Sequence, residues 1–183
     1  MYYNTKLHRG TWAAFTEVYR RHDRGLLTCD GGVFQAGVYD PDTMVSIAFD
    51  GTRLNTSSVR ELITRFPTLS ELKLTANTQL TALPTELGGL AALMTLSVNN
   101  NRLFALPSEL GGLRLLQFLA VNDNDITALP SELGKLLALT NLQIQGNRLV
   151  ALPSELGALK QLVAVDLQRN MIQCKVRCMY MLF

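Results

Sequence analysis

Three sets of residues have types and spacings that suggest chemistry. Glu109, Glu132 and Glu155 recur every 23 residues, and regularly placed carboxylates are candidates for paired general acid–base work. Asn77, Asn101, Asn124, Asn147 and Asn170 recur with nearly the same period. Cys29, Cys174 and Cys178 offer thiols for redox, nucleophilic or metal chemistry. Each set lacks a partner that its chemistry needs. The glutamates fall one repeat apart, each in the first turn after a proline, where a carboxylate complements the dipole of a helical start. Three thiols cannot all pair within one chain, Cys174 and Cys178 are four apart, and His8 and His22 lie at the other end. Neither a metal set of four soft ligands nor a nucleophile with an activating base can be assembled. The sequence therefore predicts no enzyme, no metal and no cofactor.

The elements that carry these residues follow from composition and period. The chain has 183 residues, 48% hydrophobic and 17% charged, with a net charge of +2. That composition supports a packed core and demands no polyanionic partner. Its apolar runs are too short to span a bilayer, and Met1-Tyr2-Tyr3-Asn4 lacks a basic-then-apolar leader pattern. Three reduced thiols suit a cytoplasmic protein.

Pro84, Pro107, Pro130 and Pro153 stand 23 residues apart in the blocks LPTELGGL, LPSELGGL, LPSELGKL and LPSELGAL. Ahead of them runs LxxLxLxxN or a close variant: Leu69, Leu72, Leu74 and Asn77, then Leu93, Leu96, Val98 and Asn101. Leu116, Leu119, Val121 and Asn124 follow, then Leu139, Leu142, Ile144 and Asn147, and finally Leu162, Val165, Leu167 and Asn170. Alternating apolar residues predict short strands with one buried face, too short to stand alone, so neighbours must stack into a parallel sheet. Proline suits a first helical position, and Gly111, Gly134 and Gly157 should end the turn at once, so the outer side should carry abbreviated helices.

Over residues 44–173 this pattern resembles the leucine-rich-repeat family. The resemblance implies an α/β solenoid, a curved horseshoe with a parallel concave β-sheet and short convex helices or 3-10 turns. It also implies that Asn77, Asn101, Asn124, Asn147 and Asn170 are a structural ladder whose buried amides bond backbone groups of adjacent turns. The LPSELGxL type is similar to intracellular leucine-rich-repeat proteins related to Ras-signalling scaffolds, including the plant intracellular group.

The ends are atypical. Val45–Phe49 alternates like a strand, and Thr52 stands where the asparagine would be. Ser58-Val59-Arg60-Glu61 has the form of a capping box, Val59, Leu62, Ile63 and Phe66 follow with helical spacing, and Pro67 stops the run. Trp12, Phe15, Val18 and Tyr19 predict a helix over residues 11–22. Residues 1–43 are read as a helical N-terminal cap, because a solenoid exposes core at its ends. Phe34, Gly37 and Val38 make residues 34–49 similar to the caps of plant and protist extracellular leucine-rich-repeat proteins. There a disulfide ties the cap; here Asp40 lies near the second cysteine's place, and Cys29 has no evident partner. Residues 174–183 form an apolar tail, read as an improvised cap, a docking segment or a truncation scar; left exposed, it would favour self-association.

Function should lie on the concave face. Alternation puts Ser46, Ala48 and Asp50 there, then Glu71, Lys73 and Thr75, then Thr95, Ser97 and Asn99. Phe118, Ala120 and Asn122 follow, then Asn141, Gln143 and Gln145, then Ala164, Asp166 and Gln168. The face is mostly small or neutral polar, without the clustered Lys and Arg of a nucleic-acid groove. The candidate partner-binding residues are Lys73, Ser97, Asn99, Phe118, Asn122, Asn141, Gln143, Gln145, Asp166 and Gln168, with Phe118 as the aromatic anchor. Phe104, on the descending side, is a lesser candidate, and Asn122, Asp123 and Asp125 make an acidic spot read as a solvated loop. The expected function is a non-enzymatic protein–protein interaction module, a scaffold or adaptor in cytoplasmic signalling. The alternative is an extracellular recognition domain or a fragment of a larger receptor or surface protein. Asn55-Thr56-Ser57 is a glycosylation sequon that matters only in that second setting, and its hydroxyls are explained as helix-start residues.

Overall fold

The computed structural model describes Gly51, residues 54–172, and four strands that precede them: β1 (Lys6–Leu7), β2 (Leu26–Cys29), β3 (Gly32–Gln35) and β4 (Ser46–Asp50). Helix α1 (Thr56–Arg65) follows, then β5 (Glu71–Thr75), β6 (Thr95–Ser97), β7 (Phe118–Ala120), β8 (Asn141–Gln143) and β9 (Ala164–Asp166). The helix expected over 11–22 and the tail 174–183 lie outside the described residues. Within 1–43 the described elements are strands: β2 and β3 form an antiparallel hairpin, and β1 joins the main sheet.

That sheet is parallel throughout, in the order β1-β4-β5-β6-β7-β8-β9. Its register places Ile47 beside Leu72, and Leu72, Leu96, Leu119, Leu142 and Val165 make one inward column running through the repeats. In β5 burial alternates as the sequence requires, with Leu72 and Leu74 buried and Glu71, Lys73 and Thr75 partly open. The leucine columns merge into one continuous core from Leu54 to Leu162. At about 25 cal/mol per Å2 of apolar surface removed from water, such stacking supplies the stability that no three-residue strand has alone.

The outer side carries five-residue 3-10 turns at Thr85–Gly89, Ser108–Gly112, Ser131–Lys135 and Ser154–Ala158. The prolines lie one position earlier than expected. Pro84, Pro107, Pro130 and Pro153 are extended N-caps, not first helical residues. Their fixed φ suits polyproline-like backbone equally well, and the Pro84 carbonyl accepts from the Leu87 N–H at 3.1 Å. The glycines also differ from expectation. Gly111, Gly134 and Gly157 lie inside the turns, and the capping residues are Leu113, Leu136 and Leu159. For Gly111 and Gly134 the requirement for glycine comes from the next repeat: a Cβ on Gly111 would stand 2.6 Å from the Glu132 carbonyl oxygen, and one on Gly134 would stand 2.5 Å from that of Glu155. A side chain there would prevent the turns from stacking.

Helix α1 starts three residues before the expected capping box. Its N-cap is Asn55, whose side-chain oxygen accepts from the Ser58 N–H at 3.0 Å and from the Ser58 hydroxyl at 3.1 Å. The Thr56 hydroxyl donates instead to the Ala82 carbonyl, tying the helix to the neighbouring repeat. Val59, Leu62, Ile63 and Phe66 are all buried, as their spacing predicts.

Candidate functional site

The concave face is set by what happens where each strand ends. One residue before each ladder asparagine, the chain takes a left-handed turn: Ala76 (φ 57°), Asn100 (56°), Asp123 (53°), Gly146 (67°) and Arg169 (53°). Gly51 does the same, with φ 66°. From Gly51 to Gly146, the N–H of each such residue donates to the next strand's exit, as Ala76 does to the Asn99 carbonyl at 3.0 Å and Asp123 to that of Gln145 at 2.8 Å.

The ladder asparagines then satisfy the groups the turn leaves over. Asn124 accepts from the Leu103 N–H at 3.0 Å and donates to the Val98 and Val121 carbonyls at 3.0 and 3.1 Å. Asn147 and Asn170 repeat that pattern on Ile126 and Leu149. Asn77, Asn101, Asn124 and Asn147 are buried, and Asn170 is half-buried at the last described turn. Asn101 departs from the rule. The turn after Asn77 holds one extra residue, so Asn101 accepts from the Asn77 N–H itself, at 2.8 Å. These residues have a structural use for both ends of the amide.

A second amide ladder, which alternation alone does not reveal, runs along the exposed edge of the face. Asn99 accepts from the Asn122 N–H at 2.8 Å, and Asn122 from the Gln145 N–H at 2.9 Å. Their amide nitrogens turn back onto the face, Asn99 to the Ser97 hydroxyl (3.2 Å) and Asn122 to Gln143 Oε1 (3.3 Å). Asn99 and Asn122 are thus scaffold and surface together.

The other face positions sort by exposure. Ser97 is only 8% exposed and Ala120 only 1%, so Ser97 offers a partner little surface. In the register the two small residues stand side by side, with Lys73 beyond Ser97 and Gln143 beyond Ala120. Phe118 is half-buried, with Thr95 and Asn141 beside it in adjacent strands. Asn141 accepts from the Thr140 hydroxyl at 2.9 Å. Lys73 is ion-paired with Glu71, so it is no free cation. Gln143 and Gln145 are half-open, and Gln168 is exposed. Phe104 is the more exposed aromatic, at 59%, on the descending side with Val150.

At the last repeats the side chains form a connected polar set. Arg169 reaches over Gly146 to Asp123, at 2.8 Å. Gln145, with its amide nitrogen toward Asp166 Oδ2 (3.2 Å), accepts from Arg169 at 3.0 and 3.2 Å. A Cβ on Gly146 would collide with Asp123 Oδ1, so the glycine keeps this path open. Asp166 Oδ1 accepts from the Gln168 N–H at 3.0 Å. The acidic spot is therefore partly neutralised: Asp123 pairs with Arg169 and Asp125 with Arg148. Among the described residues no three His, Cys, Asp or Glu side chains stand close enough to share a metal ion. On the convex side Glu109, Glu132 and Glu155 each accept from the preceding serine hydroxyl, at 3.2–3.3 Å.

No family model and no curated protein matches the chain. Solved structures do. Over 72% of its length the chain superposes, at TM-score 0.62 and 27% identity, on the leucine-rich-repeat ectodomain of the plant membrane receptor kinase GASSHO1/SCHENGEN3 from Arabidopsis thaliana, solved in complex with CASPARIAN STRIP INTEGRITY FACTOR 2. Over 76% it superposes on internalin C2 from Listeria monocytogenes, at TM-score 0.64 and 28% identity. The fold is a leucine-rich-repeat solenoid. A third such likeness is to the BIR3–SERK2 complex from Arabidopsis thaliana, at TM-score 0.55 and 26% identity over 69% of this chain and 67% of that one. The solenoid described here spans only 16% of the first structure's chain and 57% of the second's. Among the described residues no helix is long and apolar enough to cross a membrane.

Proposed function

We propose that this solenoid is a protein–protein interaction module whose concave sheet docks a protein partner, without catalysis of its own. The observation that carries the reading is the half-open row of Phe118, Asn141, Gln143 and Gln145, an aromatic among neutral amides on a face fixed by backbone hydrogen bonds. Neighbouring solenoids support it, since one was solved with CASPARIAN STRIP INTEGRITY FACTOR 2 bound and another in the BIR3–SERK2 complex. Lys73, Asn99, Asn122, Asp166 and Gln168 frame the same row and complete the proposed contact set. In this reading the chain serves as a scaffold or adaptor in cytoplasmic signalling, supported by its LPSELGxL blocks and its odd thiol count.

Affinity purification from native lysate tests the reading, with the wild-type chain and a Phe118→Glu, Gln143→Arg variant as baits. A partner captured by the wild type and lost from the variant, with circular dichroism unchanged, is the expected result. Equal recovery on both baits would move the site off the concave face.

One observation favours an extracellular recognition domain instead. Asn55 of the sequon is exposed, and its capping bonds use only the side-chain oxygen, leaving the amide nitrogen for a glycan. Thiol titration of the native protein under denaturing, non-reducing conditions separates the readings: three free thiols favour the cytoplasm, and Cys29 in a disulfide favours the exterior.

A further inference from the structure

Charge on the described part of the face is unevenly matched. Lys73 is held by Glu71, and Arg169 by Asp123 and Gln145, so both cations already have carboxylate partners. Asp166 differs. Its two oxygens accept from the Gln168 N–H and the Gln145 amide, both neutral donors, and no described cation lies within ion-pair distance of it. It stands half-open at the end of β9. An anionic ligand would meet no free cation there and one uncompensated carboxylate. A cationic ligand would meet the reverse.

The distance from Asp166 to Phe118 sets a ruler. The register places Phe118 beside Asn141 and then Ala164, and Ala120 beside Gln143 and then Asp166. Asp166 is thus two strands across and two residues along from Phe118, a diagonal of about 12 Å for strands ~4.8 Å apart rising ~3.3 Å per residue. In an extended peptide, side chains four residues apart point the same way and are separated by about 13 Å. Asn141 and Gln143 flank the middle of the diagonal, and Gln143 stands directly beside Asp166. Its oxygen accepts from Asn122, and among the described residues its amide nitrogen has no partner, so it can donate to a peptide carbonyl.

We propose that the concave face takes an extended basic segment of a partner protein, with an apolar side chain against Phe118 and a Lys or Arg four positions away against Asp166. The proposal rests on the concave-face reading and specifies its partner. The test is to pan a displayed library of random peptides on the purified full-length chain. The expected enrichment is an apolar residue followed, four positions on, by Lys or Arg. Panning on Asp166→Asn, an isosteric change that removes the charge and keeps one acceptor oxygen, should lose the basic preference and keep the apolar one. Phe118→Ser should do the opposite. A selected peptide should bind Asp166→Asn about three- to fivefold more weakly, as a partly exposed ion pair warrants, with the difference shrinking in high salt. Enrichment of acidic or neutral peptides would overturn the inference, as would basic peptides indifferent to Asp166→Asn. A library that yields no binder, while the lysate experiment captures a partner sensitive to the concave variant, would overturn the inference alone. Failure of both would overturn the concave reading as well.

Discussion

Two adjacent glycines should respond in opposite directions to the same substitution. Gly88 and Gly89 share one 3-10 turn, and neither has positive φ, so backbone freedom does not require glycine at either. They differ only in what lies beyond them. A Cβ on Gly88 would stand 2.7 Å from the carbonyl carbon and 2.9 Å from the Cβ of Glu109, and closer still to the Glu109 oxygen. A Cβ on Gly89 would meet nothing within 4 Å. Ordinary carbon contacts begin near 3.5 Å, so Gly88→Ala must push two stacked turns apart by most of an ångström, an overpacking cost of about 1–3 kcal/mol. Gly89→Ala restricts the unfolded chain and should gain about 0.4–1 kcal/mol. At ~2–4 °C per kcal/mol for a chain of this length, Gly88→Ala should lower Tm by roughly 2–12 °C and Gly89→Ala should raise it by roughly 1–4 °C. Thermal unfolding by circular dichroism, with urea titration as a check on m, measures both. Two variants that shift Tm in the same direction would refute the claim that inter-repeat contact, and not local turn geometry, selects glycine at the first position of the pair.

Three further outcomes follow from the same geometry. Asn124→Ala would strand the buried Leu103 N–H, while the Val98 and Val121 carbonyls keep bonds from Asn101 and Asn147, and should cost about 1–3 kcal/mol in urea unfolding, above Asn170→Ala at the last described turn. Ala76→Gly relieves a left-handed alanine and should gain up to about 1 kcal/mol, the conformational relief exceeding glycine's greater unfolded freedom. The Glu86 carboxyl is held below the usual glutamate range by its own backbone N–H and then by Arg60 at 2.7 Å. A lowered folded-state pKa gives stability that is present above the unfolded value and lost as pH falls through the folded one. NMR titration should place Glu86 below an ordinary glutamate and move it upward in Arg60→Ala.

Much of this architecture was legible because its rules are local and periodic. Leu72 and Leu74 must face inward if Glu71 and Lys73 face outward, and the same alternation recurs in each strand. The asparagine ladder was legible for the same reason. What escaped depends on the neighbouring repeat. Gly111 looks like a helix terminator in its own segment, and only the Glu132 carbonyl shows that it is a spacer. Ser97 alternates outward but is covered by neighbours more than 20 residues away in sequence. The capping role of Asn55 was obscured by Ser58, which carries the familiar signature yet serves as the donor. Gly51 could have been found: a glycine before the position of a missing asparagine signals the left-handed turn that the asparagine normally follows.

The two ladders bear on how such a surface binds. Ordering a flexible side chain at an interface costs about 0.5–1.5 kcal/mol, and amides on an open sheet would ordinarily incur that cost one by one. Here Asn99 and Asn122 are already fixed by the N–H of the adjacent repeat, and Gln145 by Arg169 and Asp166. Their remaining donors and acceptors are therefore aimed before a partner arrives. Neutral amides also lose less on desolvation than charges do, so a preordered amide row can bind a peptide backbone without a large penalty. Phe118 and Asp166 then stand out as the two positions where side-chain identity in the partner matters. Exchanging them would retune specificity while the ladders keep the frame unchanged.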